Sequence, residues 1–282
     1  MGEAKKIKFR IQRYNPENGV APYMDEFVIP VTRGMTVLDG LFYIKENLDN
    51  SLAFRSSCRM AICGSCAVVI NSFPHLACHT QIAELRVSTL ELKPVPNYAI
   101  IKDLVVDLSP LFQKHRAIKP YLIRSEREEM DAPSAEFLQT PQELEAYLQF
   151  SYCVKCGLCL AACPTAASDR LFLGPQAIAQ CYRYSSDSRD DGAEERFPAV
   201  DGDHGLWRCH LAGACSEACP KGVDPAFAIQ LLKRLRVSRA LGLGRGRRPT
   251  PVAPPPTAMQ PKLPVPEFTV KPETALRREP EG

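Results

Sequence analysis

Eleven of the twelve cysteines in this 282-residue chain fall into spacings that bring sulfurs together. The first set is Cys58, Cys63, Cys66 and Cys78, in "CRMAICGSC" followed by "HLAC". Disulfide partners need Cα atoms about 4.4–6.8 Å apart in a suitable orientation. Repeated short spacings instead aim several sulfurs at one small volume, as a metal demands. C-x4-C-x2-C with a fourth cysteine further on is the plant-type [2Fe–2S] spacing. A short loop must then wrap two irons and offer backbone N–H groups to the sulfurs, and Gly64 lets that backbone approach closely. The competing reading is zinc, whose motifs usually come as paired C-x2-C.

Two further runs resemble each other. "CVKCGLCLAACP" (153–164) reads C-x2-C-x2-C-x3-C-P, and "CHLAGACSEACP" (209–220) reads C-x5-C-x3-C-P, with Ala212 where a second cysteine would stand. In two-cluster bacterial ferredoxins the fourth cysteine of each run ligates the other cluster. Applied here, the crossing groups Cys153, Cys156, Cys159 and Cys219 around a [4Fe–4S] cluster. Cys163 joins Cys209 and Cys215, and three thiolates suit a [3Fe–4S] cluster. A four-iron cluster with water or an unseen ligand is the alternative at that third site. The cysteine left over, Cys181 in "AIAQCYRY", reads as a small buried hydrophobe, with service as the missing ligand as the sharper alternative. Three clusters in one chain would make a relay for single electrons. The chain has no dinucleotide fingerprint, no G-x-S-x-G and no convincing pair of catalytic carboxylates.

The elements that must hold these loops are legible from periodicity. "KKIKFRIQR" (5–13) alternates Ile7, Phe9 and Ile11 with polar residues, the pattern of a half-buried strand. "NPENG" is a turn, and "DEFVIPV" returns as a second strand whose Pro30 suits an edge or an end. "TVLDGLFYIKENL" (36–48) reads as a helix with Thr36 as cap and Asp39 as its reciprocal partner, with Val37, Leu38, Leu41, Ile44 and Leu48 on its apolar face. "AVVI" and "VSTLEL" supply further strands, giving a small mixed sheet wrapped on one helix. Residues 93–125 read as a connection that becomes helical, and 126–140 as a polar loop. Beyond Thr140 and Pro141 the signal is helical, through "GPQAIAQCYRYSSDSRD" and "DPAFAIQLLKRLRVSRALG", where Asp224 caps, Pro225 opens and Gly242 closes.

Composition is that of a globular protein, at 45% hydrophobic and 24% charged residues. A net charge of +3 argues for no nucleic-acid partner. The N-terminus carries neither an apolar signal core nor a myristoylation pattern, and no run reaches the roughly 18–20 apolar residues of a membrane span. The expectation is a soluble chain in a reducing compartment. After Gly242, "GRGRRPTPVAPPPTAMQPKLPVPEF" is too proline-rich for a packed core. It reads as a mobile or polyproline-like tail, with a strap along a partner or a basic anchor at anionic lipid as alternatives.

Over residues 5–240 the chain resembles the iron–sulfur subunits of succinate dehydrogenase and fumarate reductase. "SCRMAICGSC", "IKDLVVDL", "IKPYL", "GPQAIAQCYRY", "DSRD" and "CPKGVDP" carry the resemblance, with the eleven cysteines. It implies an α+β chain: a β-grasp plant-type ferredoxin domain with [2Fe–2S] (1–110), a connection (111–139), an all-α domain like bacterial ferredoxins (140–242) and the tail (243–282). It also implies electron flow between the FAD of a flavoprotein subunit, acting on succinate or fumarate, and a quinone beside a membrane-anchor subunit. The chain itself would sit peripherally on the cytoplasmic face of the inner membrane. Carried over, Pro164, His210 and Lys233 border the quinone. Lys233 can donate a hydrogen bond to a quinone oxygen, against the plainer reading of a solvated helix face; His210 has the plainer reading of a structural histidine beside the cluster. Ser168 stands where mitochondrial-type succinate dehydrogenases carry tryptophan. "RMAICGSC", "CGLCLAACP" and "CSEACPKGVDPAFAIQ" lean toward the fumarate reductase branch, which favours menaquinone over ubiquinone, whereas His210 leans the other way. A soluble multi-cluster carrier, or a subunit of another flavin-dependent fumarate reductase, are the competing readings.

Overall fold

A computed structural model describes residues 6–125, 128, 131–132 and 136–243. The tail expected from residue 243 lies, apart from Leu243, outside the described residues.

The N-terminal half is a five-stranded mixed sheet in the order β2-β1-β5-β3-β4. Strand β1 (Lys6–Arg13) pairs antiparallel with β2 (Tyr23–Pro30), setting Phe9 opposite Phe27. It pairs parallel with β5 (Thr89–Lys93), setting Phe9 opposite Leu90 and Ile11 opposite Leu92. The alternation read in β1 is the one the sheet uses: Ile7, Phe9 and Ile11 are at most 3% exposed. Pro30 closes an edge strand, where its missing N–H costs no ladder bond. Helix α1 (Val37–Asn47) packs on the sheet, and Thr36 and Asp39 close both halves of its capping box. Leu48 falls beyond the helix and is half exposed, so the apolar stripe ends at Ile44. Strand β3 (Ala67–Ile70) turns back into β4 (Phe73–Leu76), with Val69 opposite Pro74.

A small hairpin of β6 (Ile100–Lys102) and β7 (Val105–Val106) leads to helix α2 (Ser109–Ala117). The second half is helical: α3 (Pro141–Glu145), α4 (Leu148–Ser151), α5 (Leu158–Ala161), α6 (Pro164–Ser168), α7 (Pro175–Ser185), α8 (Ala193–Asp201), α9 (Ala214–Glu217) and α10 (Pro225–Ala240). The halves keep separate apolar cores, one around Phe9, Ile11, Leu41 and Leu90, the other around Phe150, Phe172, Ile178 and Ile229. Cys181 is fully buried in the second core.

Residues 97 and 98 join the two halves. The Asn97 amide donates to the carbonyls of Leu160 (2.8 Å), Ala161 (3.1 Å) and Cys163 (3.3 Å). The Leu160 and Cys163 carbonyls also accept the backbone N–H groups of Cys163 and Ala167, both at 3.2 Å, so Asn97 adds a second donor to each of them. Tyr98 donates its hydroxyl to the Gly157 carbonyl at 3.1 Å and packs against both cores.

The "DSRD" motif has a structural explanation. Arg196 and Asp190 form a bidentate pair at 2.6 and 2.8 Å, both side chains fully buried. The remaining groups are satisfied: Arg196 donates to the carbonyls of Lys119 and Tyr121, and Asp190 accepts from the amides of Ile123 and Gly192. The pair therefore pins the "IKPYL" connection to the loop before α8.

Candidate metal centres

The loop between α1 and β3 carries Cys58, Cys63 and Cys66, and Cys78 follows β4. The chain winds tightly here, with Arg59, Ala61 and Gly64 at positive φ. That winding turns backbone amides inward. Met60, Ile62 and Cys63 donate to Cys58 Sγ at 3.3–3.4 Å, and Ala61 donates to Cys78 Sγ at 3.3 Å. Ser65 donates to Cys63 Sγ and Cys78 to Cys66 Sγ. Amides facing sulfur stabilise thiolate charge. A hydrogen bond with Ser65 leads the causes that draw the Cys63 thiol down to about 6, whereas burial pushes Cys66 up to about 12. Four free thiols in a cradle of N–H donors form a donor set that fits an iron–sulfur cluster.

In the helical half the two cysteine runs are copies in backbone as well as sequence. Lys155 and Gly157 take φ of +56° and +82°, and Leu211 and Gly213, two and four residues after Cys209, take +57° and +80°. Each glycine opens a four-residue helix, α5 or α9. The duplicated turns interleave their sulfurs. One cavity is lined by Cys153, Cys156, Cys159 and Cys219. A second is lined by Cys163, Cys209 and Cys215, with Ala212 and Pro164 on its wall. Ala212 thus occupies the second cavity at the position that Cys156 occupies in the first. Cys181 lines neither.

Electrostatics sort the sulfurs the same way. Burial pushes Cys156 up to about 12, and the charges of Cys219 and Cys153 add to it. Cys159 is raised well above the ordinary thiol value, by burial and then by Cys156, Cys153, Cys219 and Cys215. Burial raises Cys215 to about 12, and here the like charges are Cys163 and Cys209. Crowded, buried thiols are poor thiolates alone, and coordination to a metal deprotonates such a thiol outright. The sets therefore fit a multivalent iron cluster.

The three sites follow one another through the chain. Gly64, in the first loop, lies so close to the second site that a Cβ there would sit 2.5 Å from Cys156 Cβ and 2.7 Å from Cys156 Cα. Cys159 on α5 lines the second site and Cys163, four residues on, lines the third. At the far end Lys233, on α10, donates to the Cys209 carbonyl at 3.2 Å and lies 5.7 Å from the centre of the Trp207 ring. His210 is exposed beside it. Sequence reasoning passed over Trp207, half exposed, and Lys114, whose ammonium donates to the carbonyls of Arg170 and Phe172 and feels the charge of Cys163. It also passed over Asn97 and Tyr98, whose one signal is their place after the prolines of "KPVPNY". Burial raises the Tyr98 phenol strongly, and Cys159 and Cys156 add to it.

Residues 8–113 match the 2Fe-2S iron-sulfur cluster binding domain, and residues 149–223 the 4Fe-4S dicluster domain. The fumarate reductase iron-sulfur subunit of Mycobacterium tuberculosis is 47% identical over 236 residues, 84% of this chain and 95% of that one. The chain belongs to the family of fumarate reductase and succinate dehydrogenase iron–sulfur subunits. Other members bracket it. The fumarate reductase subunit of Escherichia coli is 44% identical over 230 residues, 82% of this chain and 93% of that one. The succinate dehydrogenase subunit of Paracoccus denitrificans is 37% identical over 241 residues, 84% and 91% respectively. The higher identities fall on the fumarate reductase side. In three dimensions the chain superposes on one from the Mycobacterium smegmatis Sdh1 complex in the apo form, with a TM-score of 0.72 at 22% identity, covering 84% of this chain and 97% of that one. That likeness supports the α+β fold. The protein is thus an oxidoreductase subunit with 2Fe-2S and 4Fe-4S binding domains.

Proposed function

We propose that this chain relays single electrons between the FAD of a flavoprotein subunit, which handles succinate and fumarate, and a quinone beside a membrane-anchor subunit. Each cluster, when bound, supplies a site that accepts and returns one electron. Cys58, Cys63, Cys66 and Cys78 hold the [2Fe–2S] cluster. Cys153, Cys156, Cys159 and Cys219 hold the [4Fe–4S] cluster, and Cys163, Cys209 and Cys215 the [3Fe–4S] cluster. The observation that supports this reading is the sequence of neighbouring sulfur sets: Gly64 against Cys156, then Cys159 on α5 and Cys163 just after it, each lining its own cavity. The domains are 1–110, 111–139 and 140–242.

What the protein's own residues do follows from their placement. The inward amides of the first loop stabilise negative charge on the sulfurs. The exposed side chains of Met60 and Ile62 on that loop offer an apolar contact to the flavoprotein. The wall around the third set is mostly apolar, with Pro164, Pro175, Leu211, Ala212 and Ala226, and excludes water. At the far end Pro164, His210 and Lys233 border the quinone, and the Lys233 ammonium can donate to a quinone oxygen and balance charge on the reduced form. Ser168, at the position where mitochondrial-type succinate dehydrogenases carry tryptophan, favours menaquinone over ubiquinone. Among the described residues no helix is long and apolar enough to cross a membrane. A peripheral position on the cytoplasmic face of the inner membrane, held by the anchor subunit, agrees with this.

Electron paramagnetic resonance of the purified complex tests the proposal. Oxidised [2Fe–2S] and [4Fe–4S] centres are silent, whereas an oxidised [3Fe–4S] centre is paramagnetic. The expected result is one signal in the oxidised sample, joined by others on stepwise reduction. A silent oxidised sample would remove the three-iron site, and with it the quinone-facing role of Cys163, Cys209 and Cys215.

A further inference from the structure

The cavity ringed by Cys153, Cys156, Cys159 and Cys219 also has polar side chains on its wall: Lys155, Gln176, Gln180 and Lys221. Gln180 is committed elsewhere, donating to the Phe150 carbonyl at 2.8 Å. Gln176 is not. It lies on the first turn of α7, 3% exposed, with its amide nitrogen 3.9 Å from Cys153 Sγ and 3.2 Å from His115 Nδ1. Its carbonyl oxygen is buried without a partner. A buried carbonyl without a donor loses its hydration uncompensated, so the amide keeps this orientation against a penalty.

The two neighbours explain the orientation. A primary amide has two N–H donors on one nitrogen, and both neighbours here are acceptors. A thiolate sulfur accepts only. His115 is 8% exposed on α2, and burial, with the nearby Lys155 charge, draws its imidazole down to about 4. It is therefore neutral at physiological pH and can present Nδ1 as a lone pair. Turning the amide over would set a carbonyl oxygen against a sulfur carrying negative charge. One N–H is held by His115, and the other is aimed at the ligand sulfur.

We propose that Gln176 is a tuning residue of the four-cysteine site, donating an amide hydrogen bond to Cys153 Sγ, and that His115 is the positioning residue that fixes that amide. This rests on the assignment of a [4Fe–4S] cluster to the site. Hydrogen bonds to cluster sulfurs are among the determinants of reduction potential. The reduced form carries one more negative charge and gains more from the donor. Gln176 therefore raises the potential of this centre relative to a wall without the donor.

The test is an electron paramagnetic resonance redox titration of the intact complex, comparing wild type with Gln176→Leu and His115→Leu. Gln176→Leu removes the donor at similar volume and should shift the oxidised-to-reduced ratio of the four-iron centre at fixed potential by about tenfold, which is about 59 mV for a one-electron couple. The shift should be downward, with the other two centres unmoved. His115→Leu leaves the cavity wall intact but frees the amide, so it should shift the same centre in the same direction by less. An unchanged four-iron potential in whichever variant assembles overturns the proposal. Wild type with no four-iron signal at all overturns instead the cluster assignment beneath it, which separates the two failures.

Discussion

Substitution of Gly64 by alanine probes the point where the first cysteine loop meets the second site. Gly64 has φ +72°, and an added Cβ would lie 2.5 Å from Cys156 Cβ and 2.7 Å from Cys156 Cα. Neither atom is the end of a flexible side chain, so relief requires backbone movement. The left-handed conformation costs an L-residue about 1–2 kcal/mol, and overpacking adds about 1–3 kcal/mol. Gly34 supplies the control, with φ +79° and nothing within 4 Å of where a Cβ would stand. Gly34→Ala pays the conformational cost alone, about 1–2 kcal/mol, whereas Gly64→Ala carries both, about 2–5 kcal/mol. At about 2–4 °C per kcal/mol for a body of this size, the overlap separates the two variants by about 2–12 °C. The assay is the thermal midpoint for loss of visible iron–sulfur absorbance in the complex. Gly64→Ala should also alter the reduced [4Fe–4S] resonance, because Cys156 must shift, while Gly34→Ala should leave it unchanged. Equal midpoints and equal spectra would refute the close approach of the two loops.

Ala212→Cys should supply the fourth thiolate to the three-cysteine cavity and abolish the signal of the oxidised sample; an unaltered three-iron signal would sink the ligand crossing. Arg196→Met leaves the Asp190 carboxylate buried without its partner, which should cost about 3–5 kcal/mol in urea unfolding; a change within error would mean that water reaches Asp190. Asp49 is a pH probe. Burial works against its charge, but hydrogen bonds from Ser51 and Arg13 override this and hold the carboxyl at about 2, below its ordinary value of 3.8. A depressed carboxylate stabilises the fold above its unfolded pKa, so this contribution should be intact at neutral pH and fade as pH falls from about 4 toward 2. Asp49→Asn should flatten that part of the stability profile, and an unchanged acid limb would show that the ion pair contributes nothing.

Much of the fold was legible because local signals and tertiary use agree. The alternation of β1 is its burial pattern, and the Thr36–Asp39 box starts α1 where the sequence starts it. The elements that were missed have local signals at odds with their tertiary role. Strand β4 contains Pro74, which reads as a breaker; it survives because β4 is an edge strand and the lost donor is not required. Helix α8 carries Pro198 in its interior and glycines at both ends, so its pattern is obscured. It is held by the buried Arg196–Asp190 pair, which is tied in turn to Lys119, Tyr121 and Ile123, distant in sequence. Spacing marks the sulfurs that share one turn, whereas Cys219 beside the first run and Cys163 beside the second come from the crossing between the two runs, which no local signal carries. Asn97 and Gln176 could not be found by spacing, since their roles arise from helices more than twenty residues away from the groups they meet.

The hydrogen bonds of Asn97 and Tyr98 to the backbone of residues 157–163 bear on kinetics. Some redox proteins carry a centre on a domain that swings between donor and acceptor, and their transfer rates then follow the frequency of that swing. Here the first sheet is fastened to the second cysteine loop by four acceptors fixed on one short helical turn. In the proposed relay, transfer between the first two centres needs no domain excursion and so should not slow as glycerol thickens the solvent. Any step that does respond to viscosity then belongs to the two ends of that relay, where the proposed partners and quinone would arrive.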